Sequence, residues 1–191
     1  MKTIITHSGP DMDAVVSAWL ARDFLFAGDA VVQFVHRSQV PRYKDSADCL
    51  VDVGQEYDPD QLRFDHRPPA FNKRTDSCAA KLVWEHLIRS GVDVAHLAGL
   101  VQLTHDGDSG RATQALRQSR RNGVHAKLER LKASGLDDTE VFRRMVRRLR
   151  RVYAAPPHPG LQAVLNSRSH VAGCDAAWRG TLGSGEQVSM T

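Results

Sequence analysis

The stretch KTIITHSGPDMD, residues 2–13, leads from an apolar strand candidate into a helix candidate. Residues 2–6 predict a short β-strand that ends at His7, and residues 13–27 predict a helix. A strand that feeds directly into a helix is the unit from which parallel α/β sheets are built. The turn between them carries a histidine and two aspartates, so it is also the first candidate for a functional site.

The same alternation continues through the first 110 residues. Further strand candidates lie at residues 30–35, 49–53 and 62–64, and helix candidates lie at residues 77–90 and 92–103. Asp76 and Ser77 are the expected caps of the first of these helices, and Gly91 is its expected end. Strands alternating with helices predict an α/β fold with a parallel sheet flanked by helices.

Beyond Gly110 the pattern turns helical. Residues 141–153 predict a helix that is capped by Asp138 or Thr139. One face of this helix is apolar, and most of its arginines lie on the other face. We therefore expect a metal-binding core over residues 1–110 and a basic helical extension with a loose tail over residues 111–191, packed as part of the same domain.

Composition excludes several classes of protein. The 191 residues are 41% hydrophobic and 25% charged, which is ordinary for a globular chain. No apolar run approaches the length of a membrane span. Polar residues follow too soon after Met1 for a secretory signal. Cys49, Cys78 and Cys174 lie far apart, which predicts a reduced, cytoplasmic protein rather than a disulfide scaffold.

The net charge is +4, but the positive and negative residues are unevenly distributed along the chain. Residues 1–109 contain 11 Lys and Arg against 16 Asp and Glu, whereas residues 110–155 contain 13 against 4. The acidic part is typical of a segment that holds cations, and the basic part of one that contacts an anionic partner.

Polar side chains follow several of the strand candidates. His7, Asp52 and the pair Asp65-His66 each come directly after an apolar run. In parallel sheets, ligands bind at the carboxyl ends of the strands, so these residues are expected to converge. Carboxylates combined with imidazole suit Mn²⁺ or Mg²⁺. Each aspartate alone also fits an ordinary role as a helix cap or a turn former.

Four ordered motifs resemble the DHH phosphoesterase superfamily, which includes RecJ-type exonucleases, nano-RNases, exopolyphosphatases and family II inorganic pyrophosphatases. The motifs are His7-x-x-x-Asp11-x-Asp13-Ala14, then Asp52, then Asp65-His66, and then Asp106. The stretch from Asp52 to His66 also resembles the Myg-type branch, which is described as exonucleases. The resemblance covers about residues 2–110.

The resemblance implies a hydrolase with two manganese ions, Mg²⁺ being the alternative. His7 and Asp11 would bind one ion, and a second set would bind the other: Asp13, His66 and Asp106. Asp52 would bridge the two ions, and Asp65 would orient His66 through its other ring nitrogen.

Two departures from the superfamily pattern stand out. The third motif ends in Arg67 instead of a second histidine. Arginine can hold a phosphate but cannot donate a proton near neutral pH, so we expect Arg67 to clamp substrate. No Gly-Gly-Gly-His-type segment of the larger relatives is present, and a second substrate domain is not expected.

These observations predict a metal-dependent phosphohydrolase acting on phosphodiester or phosphoanhydride bonds of nucleotides or short nucleic acids. Arg143, Arg147 and Arg151 are the candidate contacts to the nucleic acid, although they also fit the solvated face of a docked helix. Two alternatives stay open, a pyrophosphatase-like enzyme and a non-catalytic nucleotide-binding or nucleic-acid-binding member. Membrane association is not expected, and an oligomer is left open.

Overall fold

The computed structural model describes residues 1–68 and 77–153, together with the backbone of three short strands between residues 169 and 190. Two compact units are present, Met1–Arg151 and Val152–Thr191. The larger of two sheets and every candidate site residue belong to the first unit.

A five-stranded, mostly parallel sheet forms the centre of the first unit, in the order β2-β1-β3-β5-β4. The strands are β1 Lys2–His7, β2 Ala30–Val35, β3 Cys49–Val51, β4 Tyr57–Asp58 and β5 Arg63–Phe64. The first three neighbouring pairs are parallel, and β4 pairs with β5 in the antiparallel sense. The prediction of an α/β fold with a parallel sheet is confirmed.

Three helices flank this sheet, and their bounds refine the sequence prediction. They are α1 Met12–Leu20, α2 Ala79–Arg89 and α3 Ala98–Asp108. The helix predicted over residues 13–27 ends as an α-helix at Leu20 and continues as a π-helical turn over Ala21–Leu25. Every residue of α1 is buried, because this helix lies between the sheet and the other helices.

The third helix corrects one prediction about the site. The sequence predicts a helix that ends at residue 103, but α3 continues through Asp106 and Asp108. Gly107 is tolerated inside the helix, and the left-handed residue that ends the helical segment is Gly110, with φ +72°.

Helix α2 is capped differently from the prediction. Asp76 lies outside the described residues, and the N-cap position is occupied by Cys78, whose side chain makes no capping bond. The amides of Ala79 and Ala80 instead donate to the two carboxylate oxygens of Asp13, both at 2.8 Å. The cap is therefore supplied from α1, 66 residues away in sequence.

The extension is helical, as predicted. It contains α4 Gln114–Asn122, α5 Val124–Ala133 and α6 Asp138–Tyr153. The cap of α6 is Asp137, one residue earlier than predicted, whose carboxylate accepts from the amide of Glu140 at 2.8 Å. Among the described residues, no helix combines the length and the apolar character needed to cross a membrane.

The second unit contains a small antiparallel sheet in the order β6-β7-β8, formed by Ser169–His170, Trp178–Thr181 and Gln187–Met190. Much of the tail expected to be loose, and Cys174 with it, lies outside the described residues. The proposed division into residues 1–110 and 111–191 stays a prediction.

A buried arginine secures the loop that precedes β3. Arg63 is 8% exposed, and its guanidinium donates to the backbone carbonyls of Lys44, Ala47 and Gln61 at 2.8–3.1 Å. A longer contact of 3.4 Å reaches the carbonyl of Asp48. Because β5 carries Asp65 and His66 at its end, this network fixes the strand on which two candidate site residues depend.

We expect Arg63→Leu to lower the free energy of unfolding by at least about 2 kcal/mol, since hydrogen bonds from a charged donor are lost and buried carbonyls lose their partner. Urea denaturation measures the change. Arg42→Leu is the matched control, because Arg42 is exposed and the change should stay within about 0.5 kcal/mol. Equal effects of the two substitutions would contradict this account of the Arg63 network.

Candidate metal centre

Three neighbouring strands deliver the candidate ligands to one edge of the sheet. His7 ends β1, Asp52 follows β3, and Asp65-His66 follows β5. Because β1, β3 and β5 are mutually parallel neighbours, their carboxyl ends meet. Asp11 and Asp13 come from the start of α1, directly above the end of β1.

Two groups of side chains at this edge could each hold a metal ion. The first group is His7, Asp11 and Asp52, and the second is Asp13, Asp52 and His66. Within each group the candidate donor atoms lie within 4.8 Å of one another. Asp52 belongs to both groups, as the predicted bridging role requires.

Asp52 is fully buried and lies in the left-handed region at φ +57°, which is uncommon for a residue other than glycine. Its carboxylate lies 2.9 Å from His7 Nε2 and 2.6 Å from Arg67 Nη2. Burial alone would raise the pKa of Asp52. The nearby imidazole of His66, the hydrogen bond to His7 and the charge of Arg67 together outweigh burial, so the pKa lies below its ordinary range. Asp52 is therefore held as an anion.

The surroundings of His66 show whether a cation fits this site. The residue is 4% exposed, and within the described chain both of its ring nitrogens are buried without a hydrogen-bond partner. Its Nε2 lies 3.7–3.9 Å from a carboxylate oxygen of each of Asp13, Asp52 and Asp108, beyond hydrogen-bond distance. A divalent cation among these atoms would satisfy the imidazole and the carboxylates together, so the donor set fits a metal ion.

The aspartates of the first motif serve as helix caps as well. Asp11 Oδ1 accepts from the amide of Ala14 at 3.0 Å, while its other oxygen lies 3.8 Å from His7. Asp13 is buried and caps α2 rather than its own helix. Burial, together with the charges of Asp52, Asp11 and Asp108, raises the pKa of Asp13 well above its ordinary value. The cap role and the ligand role are thus compatible, because each carboxylate oxygen can accept more than one contact.

Asp106 is not brought into either group, so its role as a ligand stays a prediction. Its carboxylate accepts from Gln102 Nε2 at 2.8 Å and from Thr113 Oγ1 at 3.0 Å. Asp108, two residues further along α3, lies beside His66 instead. Residues two apart on a helix point to nearly opposite sides, so only one of the two aspartates can face the centre.

The structure also revises the contacts of Asp65. No hydrogen bond joins Asp65 to His66 in the described structure; its carboxylate accepts from the amides of Gln55 and Arg67 and from Arg67 Nη1. Adjacent side chains in extended backbone point to opposite sides, which separates Asp65 from its neighbour. Arg67, 23% exposed, bridges Asp65 and Asp52.

The three arginines proposed for nucleic-acid binding share one groove. Arg143, Arg147 and Arg151 line a cavity of about 310 Å³ together with Lys127, Arg144 and Arg148. Arg143 and Arg144 both pair with Glu140. The first turn of α6 also contacts the loop between β1 and α1, residues 8–11, which we call the metal loop. In this contact Gly9 N donates to Asp138 Oδ2 at 3.0 Å.

His125 lies beside the centre although the sequence assigned it no role. It lines a cavity of about 500 Å³ whose other wall includes Asp11, Asp13 and Asp108. Its Nδ1 lies 2.9 Å from Ser119 Oγ, and a Cβ added to Gly107 would lie 2.8 Å from its Nε2. No motif in the sequence pointed to this position.

Comparison with known proteins gives one match. The family model MYG1_exonuc, described as Uncharacterised protein family (UPF0160), matches residues 3–105, just over half of the chain. The matched region contains every ligand of the two groups. No curated protein and no solved structure matches significantly.

Gly107→Ala tests the placement of His125. In the wild-type background we expect a loss of about 1 kcal/mol, because the new methyl group overpacks the imidazole. With His125→Ala in addition, Gly107→Ala should become stabilising by about 0.5–1 kcal/mol, since alanine favours helix over glycine. Urea denaturation of the double-mutant cycle measures both effects.

Gly99→Ala is the matched control, because Gly99 lies in the same helix with nothing within 4 Å of an added Cβ. It should stabilise the protein in both backgrounds. If Gly107→Ala behaves like Gly99→Ala in the wild type, His125 does not pack where we place it.

Proposed function

The chain belongs to the MYG1_exonuc family, and on that premise we propose that it is a metal-dependent phosphohydrolase that cleaves phosphodiester bonds in short oligonucleotides or nucleotides. The observation that carries the proposal is the pair of ligand groups sharing Asp52, with the imidazole of His66 set among three carboxylates. The family name supports an exonuclease-like activity. The order of the motifs supports membership of the DHH phosphoesterase superfamily.

We assign two divalent ions to the centre, with Mn²⁺ preferred over Mg²⁺ because imidazole nitrogens join the carboxylates. His7 and Asp11 would hold one ion, Asp13 and His66 the other, and Asp52 both. Asp108 is the better candidate than Asp106 for the remaining contact, because it lies 3.8 Å from His66. Such ions supply positive charge that stabilises phosphoryl oxygens and lowers the pKa of water.

Arg67 and Asp65 are the proposed catalytic residues of the chain itself. Arg67 lines a second cavity, of about 340 Å³, to which Arg37 and Lys44 also contribute. This cationic lining favours a phosphate, which a guanidinium can bind through two parallel hydrogen bonds. The carboxylate of Asp65 lies 2.8 Å from Arg67 Nη1 and thereby orients the guanidinium.

The groove on α6 is the proposed path for the rest of the nucleic acid. Among the described residues, six cationic side chains line it and no acidic one does. Because α6 starts at the metal loop, a strand lying on its arginines would reach the centre. This arrangement favours an oligonucleotide over pyrophosphate.

We further propose a cytoplasmic location, which the two buried free thiols Cys49 and Cys78 support.

One observation favours a second function, a binding protein that does not hydrolyse its ligand. Arg67 Nη2 lies 2.6 Å from Asp52 Oδ1 and so competes with a cation for the shared carboxylate. The experiment below separates the two functions.

We expect the purified protein to bind two Mn²⁺ ions, measured by calorimetry and elemental analysis. Asp52→Asn should abolish binding of both, because one carboxylate serves both groups. Asp108→Asn should weaken binding about tenfold, because Asp108 lies beside His66. The matched control Asp106→Asn should leave binding within about twofold, because the carboxylate of Asp106 is bonded to Gln102 and Thr113 instead.

The same preparations are assayed on short RNA, short DNA, pyrophosphate and bis(p-nitrophenyl) phosphate. Cleavage of the oligonucleotides supports the proposal, and turnover of pyrophosphate alone assigns the pyrophosphatase-like function. Binding of an oligonucleotide without any turnover identifies the non-hydrolysing binding protein. Absence of metal uptake overturns the metal centre itself.

Replacing Arg143, Arg147 and Arg151 with Glu should weaken binding of single-stranded oligonucleotides. If each arginine contacts one phosphate, the slope of log affinity against log salt should become shallower by about 2. Hydrolysis of bis(p-nitrophenyl) phosphate should be unchanged, because the groove lies outside both ligand groups.

The control triple variant carries Glu at Arg117, Arg121 and Arg130, which are exposed and do not line the groove. It has the same net charge as the first variant. Equal losses of affinity in the two variants would show a general effect of charge. The arginines of α6 would then simply form the solvent-exposed face of a docked helix.

A further inference from the structure

We propose that the 500 Å³ cavity beside the metal centre binds the nucleoside of a terminal nucleotide whose phosphate lies at the metals. The inference rests on the proposed function and names the substrate group that the centre accepts. The volume falls within the range of about 300–1,000 Å³ typical of small-molecule sites and exceeds what a phosphate group alone requires.

The two walls of the cavity differ in chemistry. One wall contains Asp11, Asp13 and Asp108 of the metal centre, and the facing wall comes from α4 and α5. A molecule that fills the cavity therefore touches the metal centre at one end and the helical extension at the other. A nucleotide has this division, since its phosphate is anionic and its base is flat and largely apolar.

Apolar atoms between the two ends favour the base. Met12, Ala126 and Leu128 line the cavity, and each is otherwise buried in the protein. Methionine is polarisable and adapts to the face of an aromatic ring. Burying a base against these side chains would contribute affinity that inorganic phosphate cannot gain.

His125 supplies a fixed polar group in the same cavity. Ser119 Oγ holds its Nδ1, and Gly123 permits this approach, since a Cβ there would lie 2.7 Å from Ser119 Cα. Its Nε2 is buried and has no hydrogen-bond partner within the described chain. An unpaired buried nitrogen is costly, and a heteroatom of the bound base or sugar would relieve that cost.

Burial, and then the charge of Arg120, lowers the pKa of His125, which keeps the ring neutral near neutral pH. A neutral imidazole has one donor and one acceptor nitrogen. It can therefore bond to a base edge or a sugar hydroxyl without adding a charge to the pocket.

Arg120 adds a positive charge to the lining, which also contains Thr104 and Glu129. It is exposed, lines the cavity and makes no ion pair or hydrogen bond with any other described residue. A guanidinium stacks on aromatic faces and bonds to two acceptors on a base edge. The neighbouring Arg121 is equally exposed but does not line the cavity, so the two arginines form a matched pair.

The test measures binding of adenosine 5′-monophosphate and of methyl phosphate to the full chain by calorimetry in the presence of Mn²⁺. The two probes carry the same phosphate monoester and differ in the nucleoside. We expect the nucleotide to bind at least about tenfold more tightly. Arg120→Ala and His125→Ala should each weaken nucleotide binding about three- to tenfold and leave methyl phosphate binding unchanged. Arg121→Ala should change neither.

Each outcome decides a separate point. If both probes bind equally, or if Arg120→Ala and Arg121→Ala behave alike, the nucleoside site is overturned while the metal-dependent function stands. If neither probe binds and Mn²⁺ is not taken up, the proposed function and the nucleoside site are both overturned. Circular dichroism of each variant shows whether a lost affinity follows from lost folding.

Discussion

Crowding of negative charge at one edge of the sheet is the constraint on which the rest of this structure depends. Asp13 and Asp52 are buried there, and the carboxylates of Asp11 and Asp108 lie close by. Removing carboxylates from water costs several kcal/mol for each ion unless opposite charge or hydrogen bonds compensate. The neighbourhood of Asp52 is consequently arranged to supply positive charge and donors.

The compensation comes from several distant segments. The amides at the start of α2 donate to Asp13, the imidazole of His7 contacts Asp52, and the guanidinium of Arg67 spans Asp52 and Asp65. A helix N-terminus adds its own partial positive charge. His66 is the exception, because its ring nitrogens have no hydrogen-bond partner within the part of the chain that the structure describes, and this difference marks the position where a cation is best accommodated.

The sequence predicted the sheet and most of the centre because both follow from local patterns. Apolar runs ending in His7, Asp52 and His66 are strand ends, and parallel strand ends meet by geometry. Asp106 was chosen as the ligand because it matched the fourth motif of the DHH superfamily, and the motif does not show which side of α3 faces the centre. The contacts of Asp65 depend on which way one side chain points, which sequence does not specify.

His125 and Arg120 lay beyond sequence reasoning for a different reason. Their place beside Asp108 results from the packing of α4 and α5 against α3, and no motif spacing encodes it. In the sequence, Gly107 and Gly123 are only two small residues. The structure shows that a Cβ at Gly107 would collide with His125, and a Cβ at Gly123 with Ser119. The basic face of α6 was visible in the sequence, but its start at the metal loop was not.

The hydrogen bond from Gly9 to Asp138 joins residues 129 positions apart in the chain. A second contact, between Arg150 and Asp23, joins the same helix to the segment after α1 across 127 positions. Contacts of such long sequence separation form late, because closing a long loop costs entropy before the contact is gained. During synthesis, the first motif therefore leaves the ribosome long before the helix that fixes its loop exists. The loop between His7 and Asp11 thus gains its contact with α6 only when the last helix of the unit docks.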